Sequence, residues 1–379
     1  MTYFVDRACF FGHSRHIDTH DFYQVTSLLD SYYKQPDSVD GKTYKFLTLH
    51  FPRTISMDKV AYCISILFLS GKMTLRAAEH TVYQSLSIQE EGLHRGGARR
   101  FWKVAGNVFI CMTKNEDGVL AKGSVKKVKN AIGVCSPRPH AILTTSIEAE
   151  AEGYFFLREV GAWDACARFG ATLPLIASTI TKTSKGETRG YMLTWRADIN
   201  LFDFLETELG KLSITTCLHI AYEITHKVSL LHENGWIHGD LKPSNVLVLN
   251  DAFYLSDFGF SKQVTEDMPF GGTNCYLSPE NIKNLDAGHE ARTTLASDAW
   301  ALGCILYEIY HPQCMRLTHD DSRLLEMTQK ELFDQIDYSL KKAPRDIVSI
   351  IKGLLTIDPE RRLTVPAARD ALHALIEPT

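Results

Sequence analysis

The chain has 379 residues, a formal net charge of −4 and a hydrophobic content of 45%. This length predicts two or three compact units with substantial cores. Proteins that bind nucleic acids or anionic membranes usually carry a basic excess, so the charge argues against a nucleic-acid partner. The nine cysteines are odd in number and never spaced as C-x-x-C, which argues against a disulfide framework or a zinc ribbon and predicts a reducing compartment, the cytoplasm.

Residues 1–95 form a region in which the stretches 21–33 and 57–86 show mostly helical patterns. The most apolar run, 60–69, is shorter than the roughly 20 residues needed to cross a bilayer, and the first residues lack the pattern of a cleaved export signal. We therefore expect no membrane span. The polar, glycine-containing stretch at 90–100 marks the predicted end of this region, which is a candidate for binding a regulator or a substrate.

The pattern changes after this stretch. Short runs rich in Val, Ile and Phe alternate with turn signals such as N-E-D-G at 115–118, which predicts a small antiparallel sheet. Further on, apolar residues at 214, 218, 221, 224, 228 and 231 recur at helical spacing, and the stretch 298–310 is apolar nearly all round. The first pattern predicts an amphipathic helix and the second a helix buried in a helical lobe. A sheet followed by helices is an α+β architecture.

The chemistry-bearing residues are concentrated in the stretch 236–259, which contains H-G-D-L-K-P-S-N at 238–245 and D-F-G at 257–259. The two motifs at this spacing resemble the catalytic loop and the magnesium loop of protein kinases. The resemblance implies a bilobal protein-kinase fold over residues 96–379, with ATP and Mg²⁺ as cofactors and a protein as substrate. The implied N-lobe covers about 96–193, the hinge about 194–198 and the C-lobe about 199–379.

The resemblance assigns a role to each polar residue of the two motifs. Asp240 would accept the proton of the substrate hydroxyl, and Lys242 would steady the γ-phosphate. Asn245 and Asp257 would hold Mg²⁺, which prefers hard oxygen ligands. His238 is expected to have a structural role.

Three downstream motifs extend the resemblance: G-G-T-N-C-Y-L-S-P-E at 271–280, S-D-A-W-A-L-G at 297–303 and D-P-E-R-R-L-T at 358–364. By the family's pattern, Glu280 of the first motif pairs with Arg362 of the third. Such an ion pair holds geometry more reliably than it adds stability.

Further residues of these motifs have implied roles. Asp298 would brace the catalytic loop, and Lys242 together with Thr273 resembles serine/threonine rather than tyrosine kinases. Gly239 stands where most kinases have an arginine that grips a phosphate on the activation segment. A glycine at this position predicts that activity depends only weakly on such phosphorylation. The alternative is that the glycine is a tolerated substitution without consequence.

The upstream stretch departs from the family. The loop that covers the phosphates is best matched by A-K-G-S-V-K-K-V at 121–128, where only Gly123 of three glycines remains. The following P-H-A-I-L at 139–143 places Leu143 where the phosphate-binding lysine belongs. Side chains alternate along a strand, so Lys126 should point inward with Val128. This arrangement resembles that of the With-No-Lysine kinases and predicts Lys126 as the replacement cation, the alternative being a solvated basic hairpin.

The remaining nucleotide-contacting positions follow from the same resemblance. They are Ala121 and Gly123 in the phosphate-covering loop, Val128 over the adenine, Ala141 in the third strand, Leu193 at the back wall of the pocket, and Thr194, Trp195 and Arg196 in the hinge. The helix after the third strand offers Glu148, Glu150 and Glu152 as partners for the lysine. Glu152 is preferred because Phe155 and Phe156 fit the apolar positions that follow this glutamate in the family.

The sequence therefore predicts an ATP- and magnesium-dependent serine/threonine protein kinase in which Lys126 replaces the missing lysine. The alternative is a pseudokinase that acts as a nucleotide-binding or scaffolding module. The degenerate N-lobe also resembles that of bacterial effector kinases, in which case the cytoplasm would be that of a host.

Overall fold

The computed structural model describes most of the chain between residues 75 and 376. The described ranges are 75–86, 88–96, 99–111, 119–122, 126–134, 139–183, 185–208, 210–266, 273–311, 317 and 321–376. Most of the predicted N-terminal region and Gly123 of the predicted phosphate-covering loop lie outside them. The described chain divides into two units, and the boundary between Arg196 and Ala197 falls inside the stretch predicted as the hinge.

The first unit runs to Gly153 and includes Leu175–Arg196. Its described part contains helix α1 (Leu75–Leu86), which packs against the third strand of an antiparallel sheet. The strands of this sheet are β1 (Gly92–Gly96), β2 (Arg99–Val104), β3 (Asn107–Cys111), β4 (Val119–Lys122), β5 (Lys126–Gly133), β6 (Pro139–Ile147), β7 (Leu175–Lys182) and β8 (Thr188–Trp195). They are ordered β1-β2-β3-β5-β6-β8-β7, and β4 also pairs with β5. The predicted antiparallel sheet is therefore present.

The polar stretch at 90–100, predicted as a domain boundary, contributes two strands of this sheet instead. Strand β1 pairs with β2 from Gly92 opposite Lys103 to Gly96 opposite Arg99, and β1 lies at the edge of the sheet. Edge strands tolerate charged residues because one side of the strand faces solvent. The polar composition of this stretch therefore marks a sheet edge rather than a linker.

One face of the sheet carries an apolar cluster. Its buried members come from five strands and are Trp102, Phe109, Cys111, Ala131, Ile142, Tyr191 and Leu193. Ile142 of β6 lies directly opposite Leu193 of β8, and directly opposite residues project to the same face of a sheet. The two side chains therefore belong to one face, on which burial of large apolar groups stabilises the sheet.

The second unit comprises Tyr154–Pro174 and the chain from Ala197 onward, and it is mainly helical. Helix α2 (Glu150–Arg168) belongs to it from Tyr154. Its other described helices are α3 (Leu201–Glu208), α4 (Ile214–Glu233), α5 (Pro279–Asp286), α6 (Leu295–Tyr310), α7 (Asp321–Glu326), α8 (Gln329–Ser339), α9 (Arg345–Leu354) and α10 (Val365–Ile376). The short strands are β9 (Ile199–Asn200), β10 (Trp236–Ile237), β11 (Val246–Leu249), β12 (Ala252–Leu255) and β13 (Lys262–Gln263). The sheet and the helical part together confirm the predicted α+β class.

Two predicted helices form the centre of this unit. Helix α4 begins after Ser213, whose side chain accepts a hydrogen bond from the backbone N–H of Thr216 and so caps the first turn. Helix α6 is buried from Ser297 to Ile309, as its apolar composition predicts. Thr294 and Ser297 form a reciprocal capping box at its start, which satisfies two backbone N–H groups of the first turn. Within the described ranges, none of the helices is long and apolar enough to cross a membrane.

Candidate active site

The loop that carries H-G-D begins at β10, and the D-F-G loop leads into β13. These two short strands pair, with Trp236 opposite Gln263 and Ile237 opposite Lys262. His238 joins the loops further, because its Nε2 donates to the carbonyl of Ser256 at 3.1 Å, while its own carbonyl accepts from the hydroxyl of Ser261 at 2.9 Å. Backbone pairing and His238 therefore hold the two motifs side by side.

The start of the H-G-D loop is fixed by the buried carboxylate of Asp298 in the first turn of α6. One oxygen accepts the backbone N–H of His238 at 2.7 Å and Nε2 of His232 at 3.1 Å, and the other accepts the backbone N–H of Gly239 at 3.0 Å. Burial by itself would raise the pKa of Asp298, but the bonds and charges of His232 and His238 outweigh it and hold that pKa below its usual value. The predicted brace of the catalytic loop is present.

Asp240 is buried, and its carboxylate is held by three side chains. Lys242 Nζ donates to one oxygen at 2.7 Å, and Asn245 Nδ2 donates to the same oxygen at 3.0 Å. The hydroxyl of Thr273 donates to the other oxygen at 2.8 Å and accepts from Lys242 Nζ at 2.7 Å. A carboxylate has about four acceptor positions, so this network orients Asp240 and leaves it able to accept from a hydroxyl.

Asn245 and Asp257 have side chains suited to Mg²⁺. The amide nitrogen of Asn245 donates to the carbonyl of Asp240 at 2.8 Å, so that its amide oxygen is the atom available to a metal. Asp257 sits at φ 65° and ψ 69°, a left-handed conformation that costs a non-glycine residue about 1–2 kcal/mol. An amide oxygen and a carboxylate are a hard donor set that fits Mg²⁺. No group of three or more His, Cys, Asp or Glu side chains within the described ranges is arranged to hold a metal ion.

Phe258 of the D-F-G motif is buried between two rings. The ring centroid of Trp163 in α2 lies 6.0 Å away, and that of His238 lies 5.3 Å away. Trp163 is itself fixed by a hydrogen bond from its indole N–H to the carbonyl of Leu173 at 2.7 Å. The D-F-G loop therefore packs directly on helix α2.

The glutamates of α2, and Glu148 just before it, differ in burial. Glu148, Glu150 and Glu152 are exposed, and a carboxylate oxygen of Glu152 accepts the backbone N–H groups of Glu148 at 2.5 Å and Ala149 at 3.3 Å. The position of Glu152 is thus that of a helix N-terminal cap. Glu159, one turn before Trp163, is only 4% exposed. In the sequence, Phe156, Trp163 and Cys166 recur at helical spacing, and Glu159 falls on the same face, which is the signal that points to it.

The predicted nucleotide-contacting residues of the first unit can be assigned to faces of the sheet. Lys126 lies opposite Thr145, Val128 opposite Leu143, and Ala141 opposite Thr194, so these side chains share one face. Ala121 pairs with Val128. Lys126 is therefore a diagonal neighbour of Leu143, at a separation of about 7–8 Å that a long side chain can bridge.

The predicted position of Leu193 is wrong. Predicted at the back wall of the same pocket as Ala141, it lies on the opposite face, in the apolar cluster, because its partner across the strands is Ile142. Met192, which is buried directly opposite Leu143, shares the face of Leu143 and Ala141. The two assignments differ by one residue, and a shift of one residue along a strand changes the face.

The other lysines of β5 and the hinge residues have distinct surroundings. Lys127 is exposed. Lys129, which was predicted to point to solvent, is partly buried. Its burial is the main cause that lowers its pKa, and the positive charge of Arg100 is the second cause. Thr194 is buried, and Trp195 lies opposite His140. Arg196 is buried and donates to the side-chain oxygen of Asn130 at 2.9 Å.

The pair predicted between Glu280 and Arg362 is present. The two terminal nitrogens of Arg362 donate to the two oxygens of Glu280, both at 2.8 Å. The other three N–H groups donate to the carbonyls of Thr356, Ala296 and Ile357 at 2.7–3.1 Å. All five donors of this fully buried guanidinium are therefore satisfied.

Gly239 is required by the backbone. Its φ is +84°, and a Cβ atom there would lie 2.6 Å from the carbonyl oxygen of Phe260 and 3.1 Å from a methyl group of Thr293. A side chain at this position would require the loop around Phe260 to shift.

The family model "Protein kinase domain" matches residues 174–374, more than half of the chain. The serine/threonine-protein kinase cds1 of Schizosaccharomyces pombe is 30% identical over 175 residues, which cover 44% of this chain and 37% of that protein. The probable serine/threonine-protein kinase fhkA of Dictyostelium discoideum is 32% identical over 180 residues, covering 38% and 30%. The chain therefore spans only about a third of the length of these relatives.

We expect Arg362→Met to lower the free energy of unfolding by about 3–5 kcal/mol, because it leaves the Glu280 carboxylate without its partner. Arg361→Met is the matched control, since Arg361 is exposed and forms an ion pair with Asp358 at 3.5 Å. The control should change the free energy by less than about 0.5 kcal/mol. Urea denaturation of the two variants and the parent measures both values, and equal losses would contradict the role of Arg362.

We expect Gly239→Ala to destabilise the chain more than Gly235→Ala does. Both glycines have left-handed φ, +84° and +74°, but a Cβ at Gly235 meets nothing within 4 Å. The shared cost of the backbone conformation is about 1–2 kcal/mol, so any excess in Gly239→Ala reports the contact with Phe260. Thermal unfolding of both variants gives this difference, and no excess would show that the loop relaxes freely.

Proposed function

The chain belongs to the protein kinase family, and from this membership we propose that it transfers the γ-phosphate of ATP to serine or threonine residues of a protein substrate. The observation that carries the proposal is the network around Asp240, in which Lys242, Thr273 and Asn245 all bind its carboxylate. The two described relatives support the same chemistry, since both are named as serine/threonine-protein kinases.

In the proposed reaction, the substrate hydroxyl attacks the γ-phosphorus while Asp240 accepts its proton. The new bond joins the hydroxyl oxygen to phosphorus, the bond from phosphorus to the β–γ bridging oxygen breaks, and ADP leaves. Lys242 is already oriented by Asp240 and Thr273, which supports its role in steadying the transferred phosphate. Such catalysis rests mainly on positioning and on charge stabilisation.

Mg²⁺, when bound, would neutralise phosphate charge, and Asn245 and Asp257 are the residues that would hold it. The amide orientation of Asn245 supports this, because its nitrogen already donates to the carbonyl of Asp240. Removal of divalent cations is expected to abolish transfer.

Lys126 is the proposed phosphate-contacting cation in place of Leu143. The strand register supports this, because Lys126 shares a face with Val128 and Leu143 and is diagonal to Leu143. For the helix glutamate, we propose Glu159 in place of Glu152, since Glu159 is buried beside the turn that carries Trp163, whereas Glu152 caps the helix. For the back wall we propose Met192 in place of Leu193.

The cytoplasm remains the proposed compartment, on the basis of the cysteine pattern. The region upstream of the described sheet is a proposed binding region for a regulator or a substrate.

We expect Lys126→Ala to lower the rate of phosphate transfer by about a hundredfold or more, because it removes a cation that stabilises phosphate charge. Lys127→Ala is the matched control, since Lys127 is the adjacent and exposed lysine of the same strand. Asp240→Asn should lose a comparable factor because it removes the proton acceptor. Radiolabelled transfer from ATP to generic protein substrates measures all three.

Equal losses for Lys126→Ala and Lys127→Ala would contradict the replacement of the missing lysine. A parent protein that transfers no phosphate with Mg²⁺ present would favour the alternative of a pseudokinase with a scaffolding role.

We expect Glu159→Gln to lower kcat about tenfold or more, while Glu152→Gln keeps a rate near that of the parent. The second change removes only the favourable contact between a charge and the helix N-terminus, which is worth about 0.3–1 kcal/mol. Steady-state kinetics with thermal unfolding of each variant separate a lost catalytic role from a lost fold. A larger loss in Glu152→Gln would restore the original assignment.

A further inference from the structure

Backbone hydrogen bonds hold the first residues of the segment that follows D-F-G. Strand β13 pairs with β10, and the backbone N–H of Val264 donates to the carbonyl of Gly235 at 2.9 Å. The chain then turns, with the N–H of Glu266 donating to the carbonyl of Gln263 at 3.0 Å. We refer to residues 261–266 as the segment. A side chain at residue 266 connects this segment to another element.

That side chain is Glu266, whose partner is Arg158 of helix α2. One carboxylate oxygen of Glu266 accepts from Arg158 Nη2 at 2.7 Å and from the backbone N–H of Gln263 at 3.1 Å. Arg158 also donates to the hydroxyl of Tyr154 at 3.3 Å, and its guanidinium carbon lies 5.7 Å from the centre of the Tyr154 ring. Each partner is thus oriented by a second contact, which reduces the side-chain entropy that usually makes exposed pairs weak.

The position of this pair on α2 gives it a consequence for the site. Arg158 is adjacent to the buried Glu159, and Trp163, just over one turn further along, packs on Phe258. Helix α2 is therefore attached to the D-F-G loop and its following segment at two points, one ionic and one aromatic, on either side of Glu159. Two attachments fix the rotation of a helix about its axis, so they also fix the direction of Glu159.

The catalytic loop offers no arginine before Asp240 for a phosphate on the segment. Gly239 stands there, and a Cβ would lie 2.6 Å from the carbonyl oxygen of Phe260. In kinases that are activated by phosphorylation, new pairs between arginine and the phosphate order the segment. In this chain Glu266 already supplies a negative charge within the segment, and Arg158 already supplies the cation.

We propose that the ion pair between Arg158 and Glu266 positions helix α2 and the segment 261–266 for phosphate transfer, so that transfer does not require phosphorylation of the segment. This proposal rests on the proposed kinase function. Arg158 and Glu266 are positioning residues in it, because they act through Glu159 and the D-F-G loop rather than on the reacting atoms.

The test compares Arg158→Gln, Glu266→Gln and the double variant with Asp164→Asn. Glu266→Gln keeps an oxygen that can accept the N–H of Gln263, so it removes mainly the charge. Asp164→Asn removes the charge of a pair with Arg168 on the same helix, where both side chains are largely exposed, and it serves as the matched control. Arg158→Lys keeps the positive charge and tests rescue.

We expect each single glutamine variant to lower kcat about tenfold, which corresponds to 1.4 kcal/mol, with less than a twofold change in KM for ATP. The double variant should be no slower than either single one, because both changes remove the same interaction. Arg158→Lys should recover part of the loss, and Asp164→Asn should match the parent. The parent should keep its rate within twofold after phosphatase treatment.

Single variants with the parental kcat, or a parent inactivated by phosphatase, would overturn the proposal. Hydrogen exchange provides a readout that does not depend on activity, and Glu266→Gln should accelerate exchange in a peptide covering 261–266 about tenfold, whereas Asp164→Asn should not. A parent without any phosphate transfer would overturn the proposed function instead. Unchanged exchange in Glu266→Gln would overturn the proposal that the pair holds the segment, whether or not the parent is active.

Discussion

The candidate site depends on one buried carboxylate. Asp298 lies in the first turn of α6, a helix buried along most of its length, and it accepts the backbone N–H groups of both His238 and Gly239. The capping box of Thr294 and Ser297 defines where this turn begins, and the partial positive charge of a helix N-terminus favours an ionised carboxylate there. The loop that leads to Asp240 is therefore attached to a helix that is buried from Ser297 to Ile309.

Other contacts connect the loop that carries His238 and Gly239 to the elements around it. Strands β10 and β13 connect the catalytic loop to the D-F-G loop, and Trp163 connects the D-F-G loop to α2. The ion pair of Glu280 and Arg362 joins the start of α5 to the chain before α10. Because the guanidinium is bidentate and fully hydrogen-bonded, it fixes relative position as well as charge. Phosphate transfer in kinases depends on positioning more than on reactive groups, so these contacts would serve the proposed reaction directly.

The two units differ in how closely they follow the family. The family model matches from residue 174 onward, so the strands that precede it, including the one with Lys126, lie outside the match. In that part of the sheet, the strand register rather than motif similarity supports the proposed role of Lys126. Pairing of Val128 with Leu143 places Lys126 on the same face as the position where the lysine is missing. A lysine on either of two neighbouring strands could serve the same phosphate, because the interaction depends on where the charge lies in space and not on which strand carries it.

The sequence alone determined the contiguous parts of the site. H-G-D-L-K-P-S-N and D-F-G are short contiguous motifs, so their resemblance to kinase loops implied the roles of Asp240, Asn245 and Asp257 without any structure. Tertiary structure decided which carboxylate of α2 is buried, because the rotation of that helix depends on Trp163 meeting Phe258, a residue distant in sequence. It also decided that Leu193 belongs to the apolar cluster, because a shift of one residue in strand register exchanges the faces of a sheet, and pairing between distant strands sets the register.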